Sequence, residues 1–194
     1  MLMLSGRGTG AHEESAAEAV DFDGTNDYLS RSSDLTGNAD GKTFTFSAWV
    51  WNLSSAQTGT IYGSDYFYIQ HSSTSFEVIG NNTGGVQILK LNINPVIGCF
   101  SSTWNHLLIS INLENSSNRH VYINDVLQTD ITWVYYYSNQ TLDFTRASHY
   151  VGESLIGNIK YKGRLAHVFL AYEYIDLSVE ANRRIFITSD RKPA

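Results

Sequence analysis

From Lys42 to Trp51 the chain alternates, with Phe44, Phe46, Ala48 and Val50 on one side and Thr45, Ser47, Trp49 and Trp51 on the other. A period of two sends successive side chains to opposite faces of a strand. This stretch is read as a central strand covered on both faces. Shorter strand-like runs follow at 60–62, 66–70, 76–79, 86–91, 104–111, 120–123, 149–151 and 164–172, with Gly, Asn, Ser and Asp filling most gaps. Residues 19–22 and 28–31 flank Asp23-Gly24 and read as a hairpin-like opening. About ten short strands joined by turn chemistry predict two antiparallel sheets packed face to face, an all-β jelly-roll sandwich.

The two ends depart from this pattern. Residues 1–17 hold no sustained period, carry Gly6, Gly8 and Gly10, and read as a flexible N-terminal arm before a sandwich of residues 18–172. The Gly-x-Gly-x-Gly run lacks the preceding strand and following Lys-Ser/Thr of a phosphate loop; an arm that orders on a neighbouring subunit is the livelier alternative. Residues 173–194 read as a C-terminal helix and tail. Between Tyr174 and Ile187, Asp176 and Ser178 are helix-starting types, Glu180 suits a first turn, and Arg183 and Arg184 suit the opposite end.

Composition agrees with a sheet protein: 42% hydrophobic, 12 Tyr, 15 Gly and only 2 Pro, enough for one sizeable core. A net charge of −6 without a Lys/Arg block excludes a nucleic-acid groove, which needs clustered positive charge. The single cysteine, Cys99, cannot form an intrachain disulfide and reads as a small buried hydrophobe. Met1-Leu-Met-Leu4 is too short for a secretory signal, and no run approaches the ~18 apolar residues of a spanning helix, so no membrane insertion is expected. The sequons at Asn52, Asn81, Asn115 and Asn139 then read as turn composition.

Four segments in order, Asp21-Phe-Asp-Gly-Thr-Asn-Asp-Tyr-Leu-Ser30, Phe44-Thr-Phe-Ser-Ala-Trp-Val50, Trp104-Asn-His-Leu-Leu-Ile-Ser110 and Val121-Tyr-Ile-Asn-Asp125, resemble the laminin-G-like/concanavalin A-like superfamily. The closing Tyr174–Ile187 stretch with Lys192-Pro193 resembles the end of laminin-G-like proteins of tailed bacteriophages. Two positions depart from that pattern: Asp190-Arg191 stands where a glycine is expected, and His167 where an acidic residue is. The resemblance implies a non-enzymatic virion protein, decorating tail or capsid, made in host cytoplasm, with other virion proteins as partners. Homo-oligomerisation and contact with a host-surface glycan are expected, and a free lectin-like module, calcium-dependent or not, is the alternative.

The residues themselves carry little catalytic chemistry. No Glu-x-Asp-x-x-Glu strand motif supplies the paired carboxylates of a glycosidase, and Gly-x-Ser-x-Gly is absent. His106, on an alternating strand, reads as a satisfied, partly buried histidine, and the six histidines show no zinc spacing. Asp23, Asn26 and Asp27 could supply hard oxygen ligands to calcium, but the stronger reading is that they build the turn through bonds to nearby backbone, so no metal is expected. For a glycan, rings with polar partners are needed. The run Trp133-Val-Tyr-Tyr-Tyr137 offers them: if extended, Trp133, Tyr135 and Tyr137 share a face, with Asn139 and Gln140 following. The competing reading makes these rings core or subunit contacts. Tyr66, Phe67 and Tyr68 form a second cluster, and Arg183 and Arg184 are expected assembly contacts.

Overall fold

The computed structural model describes residues 2–3, 18–35, 37–52, 58–72, 75–94, 103–154 and 158–194. In chain order the strands are β1 (Leu2–Met3), β2 (Val20–Asp23), β3 (Leu29–Arg31), β4 (Thr43–Asn52), β5 (Gly59–Ser64), β6 (Phe67–His71), β7 (Phe76–Asn81) and β8 (Gln87–Ile93). They continue with β9 (Trp104–Asn112), β10 (Arg119–Ile123), β11 (Val126–Leu127), β12 (Ile131–Tyr136), β13 (His149–Val151), β14 (Glu153–Ser154), β15 (Ile159–Lys160) and β16 (Lys162–Ala171); α1 is Glu180–Arg183. Sheet I runs β1-β16-β4-β9-β10-β11, with β2 also on β16. Sheet II runs β12-β8-β7-β6-β5-β13-β3, and β14–β15 is a separate hairpin. The arrangement is an antiparallel two-sheet sandwich.

The alternating strand is central as expected, with β4 between β16 and β9. Phe44, Phe46, Ala48 and Val50 enter the main core with Ile69, Val78, Leu89, Leu91 and Ile109. Phe44, Phe67 and Phe144 meet edge to face there, at centroid separations of 4.9, 5.1 and 6.4 Å.

The opening is not a hairpin: β2 joins β16 in sheet I and β3 joins β13 in sheet II. The Asp23 turn carries the chain between sheets. Asp23 Oδ1 accepts from Thr25 N at 2.6 Å and Asn26 N at 3.1 Å, and Asp27 Oδ2 accepts from Asp23 N. These backbone donors lower the Asp23 carboxyl below its ordinary value.

The expected C-terminal helix shrinks to α1. Asp176 does not cap it: its Oδ1 accepts from Ser178 N and Oγ, bending the chain before the helix starts. Bonds of the i→i−3 kind follow, from Val179 N to Asp176 O and from Asn182 N to Val179 O. The segment still packs, on the outer face of sheet I. Leu177 is buried with Leu108 and Tyr122, and Ile187 with Trp49 and Ala166. Arg183 Nε and Arg184 Nη2 hold the two oxygens of Asp125 at 2.6 and 2.8 Å, so the arginines expected at subunit contacts close onto their own chain.

Under this cover His106 is fully buried, Nε2 2.8 Å from Ser47 Oγ and its ring 5.0 Å from that of Trp49, while Nδ1 has no partner. It is thus more buried and less satisfied than its strand position predicts. Of the N-terminal arm, Leu2 and Met3 pair with Leu170 and Phe169, and residues 1 and 4–17 lie outside the described residues, as does Cys99. No helix among the described residues is long and apolar enough to cross a membrane.

Candidate functional site

The outer face of sheet II follows from its registers, because directly paired residues share a face. Tyr135 pairs with Lys90, Lys90 with Ile79, Ile79 with Tyr68, Tyr68 with Gly63 and Gly63 with Tyr150. The next row runs Thr132, Asn92, Glu77, Gln70 and Thr60. Alternate residues on these strands, such as Leu91, Val78 and Ile69, enter the core, so both rows point outward. Tyr135 and Tyr68 stand three strand spacings apart, about 14 Å.

One side of this face has a wall. Gly63 faces outward, where a Cβ would come within 3.0 Å of Glu153 O, so the missing side chain lets the β14–β15 hairpin lie on β5. Lys160 pairs with Glu153 and sets its Nζ 4.5 Å over the Tyr28 ring, which lies 5.9 Å from that of Tyr150. The other side is the edge strand β12. Its pairing with β8 shifts between Trp133 and Tyr135, and this bulge overturns the expected common face. Trp133 turns inward and meets Tyr136 edge to face at 5.6 Å, with Arg119 stacked 4.4 and 4.7 Å from the two rings. Tyr135 and Tyr137 stack on each other at 6.1 Å and are 40% and 49% exposed.

The remaining expected residues lie elsewhere. Tyr66 precedes β6, and Arg146 covers its ring at 3.7 Å. Asn139, with φ 63°, accepts through Oδ1 from Lys42 Nζ at 2.7 Å, and Lys42 also pairs with Glu114. The face therefore joins Tyr68, Tyr135 and Tyr137 and leaves out Trp133, Tyr66 and Asn139. It adds Lys90, Glu77, Gln70 and Asn92, the polar members of the 66–70, 76–79 and 86–91 runs and their flanks, where alternation was the available signal.

Gln70 Nε2 donates to Glu77 Oε2 at 2.7 Å. Burial, and then the nearby Glu77 carboxylate, push the Tyr68 phenol above its ordinary value. Glu77 is the one carboxylate in the two rows, and no group of three or more His, Cys, Asp or Glu among the described residues is placed to hold a metal. Rings flanked by amides, a carboxylate and an ammonium suit a hydroxyl-rich ligand that also has apolar C–H faces.

No family model and no curated protein matches the chain. Solved structures do. A candidate carbohydrate-binding protein from Bacteroides ovatus ATCC 8483 superposes with TM-score 0.62 at 13% identity, covering 88% of this chain and 46% of that one. Domains LG4-5 of the mouse laminin alpha1 chain give 0.59 at 14%, covering 84% and 43%. Botulinum neurotoxin type C, whose cell entry depends on two ganglioside molecules, gives 0.55 at 13%, covering 94% and 50%. The chain spans half or less of each of these three. Together with the two-sheet topology they establish the architecture as a laminin-G-like, concanavalin A-like jelly-roll sandwich.

Proposed function

We propose that this chain is a non-enzymatic glycan-binding sandwich of a tailed-phage particle, holding its ligand on the outer face of sheet II. The exposed Tyr135–Tyr137 stack carries the reading, because it heads the row that runs through Lys90, Ile79 and Tyr68 to the hairpin wall at Gly63, beside the polar row of Asn92, Glu77 and Gln70. Stacked phenols present faces to sugar C–H groups, and the adjacent rows present hydrogen-bonding edges. Two of the structural neighbours are described by their carbohydrate or ganglioside ligands, which supports the class of ligand for this chain. The particle setting, with other virion proteins as partners and repeated copies of this chain, rests on the sequence resemblance of the closing Tyr174–Ile187 stretch.

Two measurements test the two halves. Replacing Tyr135 and Tyr137 with Ala abolishes retention on a glycan array while the melting temperature stays within a few degrees. Unchanged retention sinks the site. Mass spectrometry of purified particles finds the chain at stoichiometric abundance; its absence, with glycan binding intact, makes it a free lectin.

A further inference from the structure

We propose that the row beside the tyrosines reads the ligand, and that it selects a neutral sugar residue with adjacent hydroxyls over an acidic one. This rests on the glycan-binding reading above. Gln70, Glu77 and Asn92 stand opposite one another on three neighbouring strands. Because Gln70 Nε2 donates to Glu77, the Gln70 amide oxygen points away from that carboxylate, and the side chain is only 8% exposed. That oxygen, Asn92 Oδ1 and the Thr60 hydroxyl are all shielded and all without a hydrogen-bond partner. Shielded polar atoms in folded proteins are nearly always paired. Two of these, Gln70 Oε1 and Asn92 Oδ1, flank the Glu77 carboxylate and mark where donors from outside belong; the Thr60 hydroxyl lies one strand further, fully buried. Glu77, Lys90 and Asn92 are themselves partly exposed, so the row opens to solvent along β7 and β8.

The donor and acceptor inventory then chooses the ligand. The atoms left without partners include Gln70 Oε1 and Asn92 Oδ1, both acceptors, beside the second oxygen of Glu77; one Gln70 N–H is engaged with Glu77, and the remaining amide N–H groups and the Thr60 hydroxyl can donate. Sugar hydroxyls bring the missing donors. A carboxylate or sulfate brings only acceptors and leaves these oxygens unpaired beside Glu77. Lys90 balances the Glu77 charge within the two rows, so discrimination arises from the acceptor set rather than from net charge. A ganglioside-type headgroup, with its acidic sugar, is the poorer fit to these residues.

The test is an array carrying neutral oligosaccharides beside their sialylated and sulfated counterparts, probed with the full chain and folded variants. Wild type retains the neutral members at least about tenfold better. Asn92→Ala weakens neutral binding about tenfold, the scale of one lost hydrogen bond in a desolvated site. Glu77→Gln narrows the preference by adding a donor, and it serves alone if Asn92→Ala fails to fold. Wild type holding acidic members as well as neutral ones overturns the inference. So do Asn92→Ala and Glu77→Gln variants with an unchanged profile while the Tyr135→Ala, Tyr137→Ala protein loses all binding; in both cases the glycan-binding reading stands. No retention of any glycan by the folded wild type removes both.

Discussion

Asn124 and Asp125 show how much one short turn carries. Both sit at positive φ, 52° and 63°, in the two-residue connection between Ile123 and Val126. That is the backbone of a type I′ hairpin turn, which Asn and Asp tolerate. Asn124 then accepts from His106 N and donates to Asn105 Oδ1, while Asp125 takes both arginines of the C-terminal segment. Burial alone would raise the Asp125 carboxyl; hydrogen bonds and charges from Arg184 and Arg183 outweigh it and hold it below the usual range. Asp125→Ala leaves two partly buried guanidinium groups without their shared partner, and is expected to lower unfolding stability by about 1–3 kcal/mol in urea titrations. Because the folded carboxyl titrates lower than the unfolded one, the contribution is whole above about pH 4 and is lost as pH falls through the depressed value. Wild type and variant therefore converge in acid; a gap that stays constant to low pH would remove the ion pair as its cause.

At the scale of elements, legibility tracked periodicity. β4, β8 and β9 were readable because uninterrupted alternation needs no knowledge of partners. The β12 bulge was not, since the extra residue that turns Trp133 from the side of Tyr135 is defined only by pairing with β8. The Asp23-Gly24 turn has the same local chemistry whether it closes a hairpin or crosses between sheets, so the destinations of β2 and β3 were out of reach. The short C-terminal helix was legible, but the residue at which it starts was not. Asp176 and Ser178 are good helix starters, and here they bond to each other instead. Of the site, the tyrosines were visible as rings, but the amides and Glu77 looked like ordinary polar members of strands.

The C-terminal cover makes an element-scale prediction of its own. Leu177 is fully buried against Leu108 and Tyr122 although α1 itself buries no residue, so anchoring rests on side chains flanking the helix. Leu177→Ala is expected to destabilise by about 2–4 kcal/mol and to raise amide exchange at residues 174–187 above that of sheet II. Uniform exchange across both sheets would mean the cover does not open separately.

For the whole molecule, two histidines buried at different places make stability depend on pH in one direction. Burial pushes His106 down to about 3 and His71, beside Tyr161, down to about 4; in His71 a bond to Ser72 partly opposes it. Both stay neutral in the folded state while the unfolded chain takes up protons below about 6.5. The unfolded state thus binds more protons, and stability rises with pH. The full contribution holds above about pH 6.5, and by pH 5 each histidine has removed about 2 kcal/mol. This loss begins before that of the carboxylates, so the melting temperature falls in a first stage from about pH 6.5 through the histidines, and below about 4 the carboxylates add a second stage as His71 itself takes up its proton. Replacing His71 with Gln flattens the first stage in part, with His106 and the likewise depressed His149 and His120 keeping the rest. A melting temperature flat from pH 7 to 5 would show that these rings are not held neutral, and would leave the acid sensitivity to the depressed carboxyls, Asp125 and Asp23 among them.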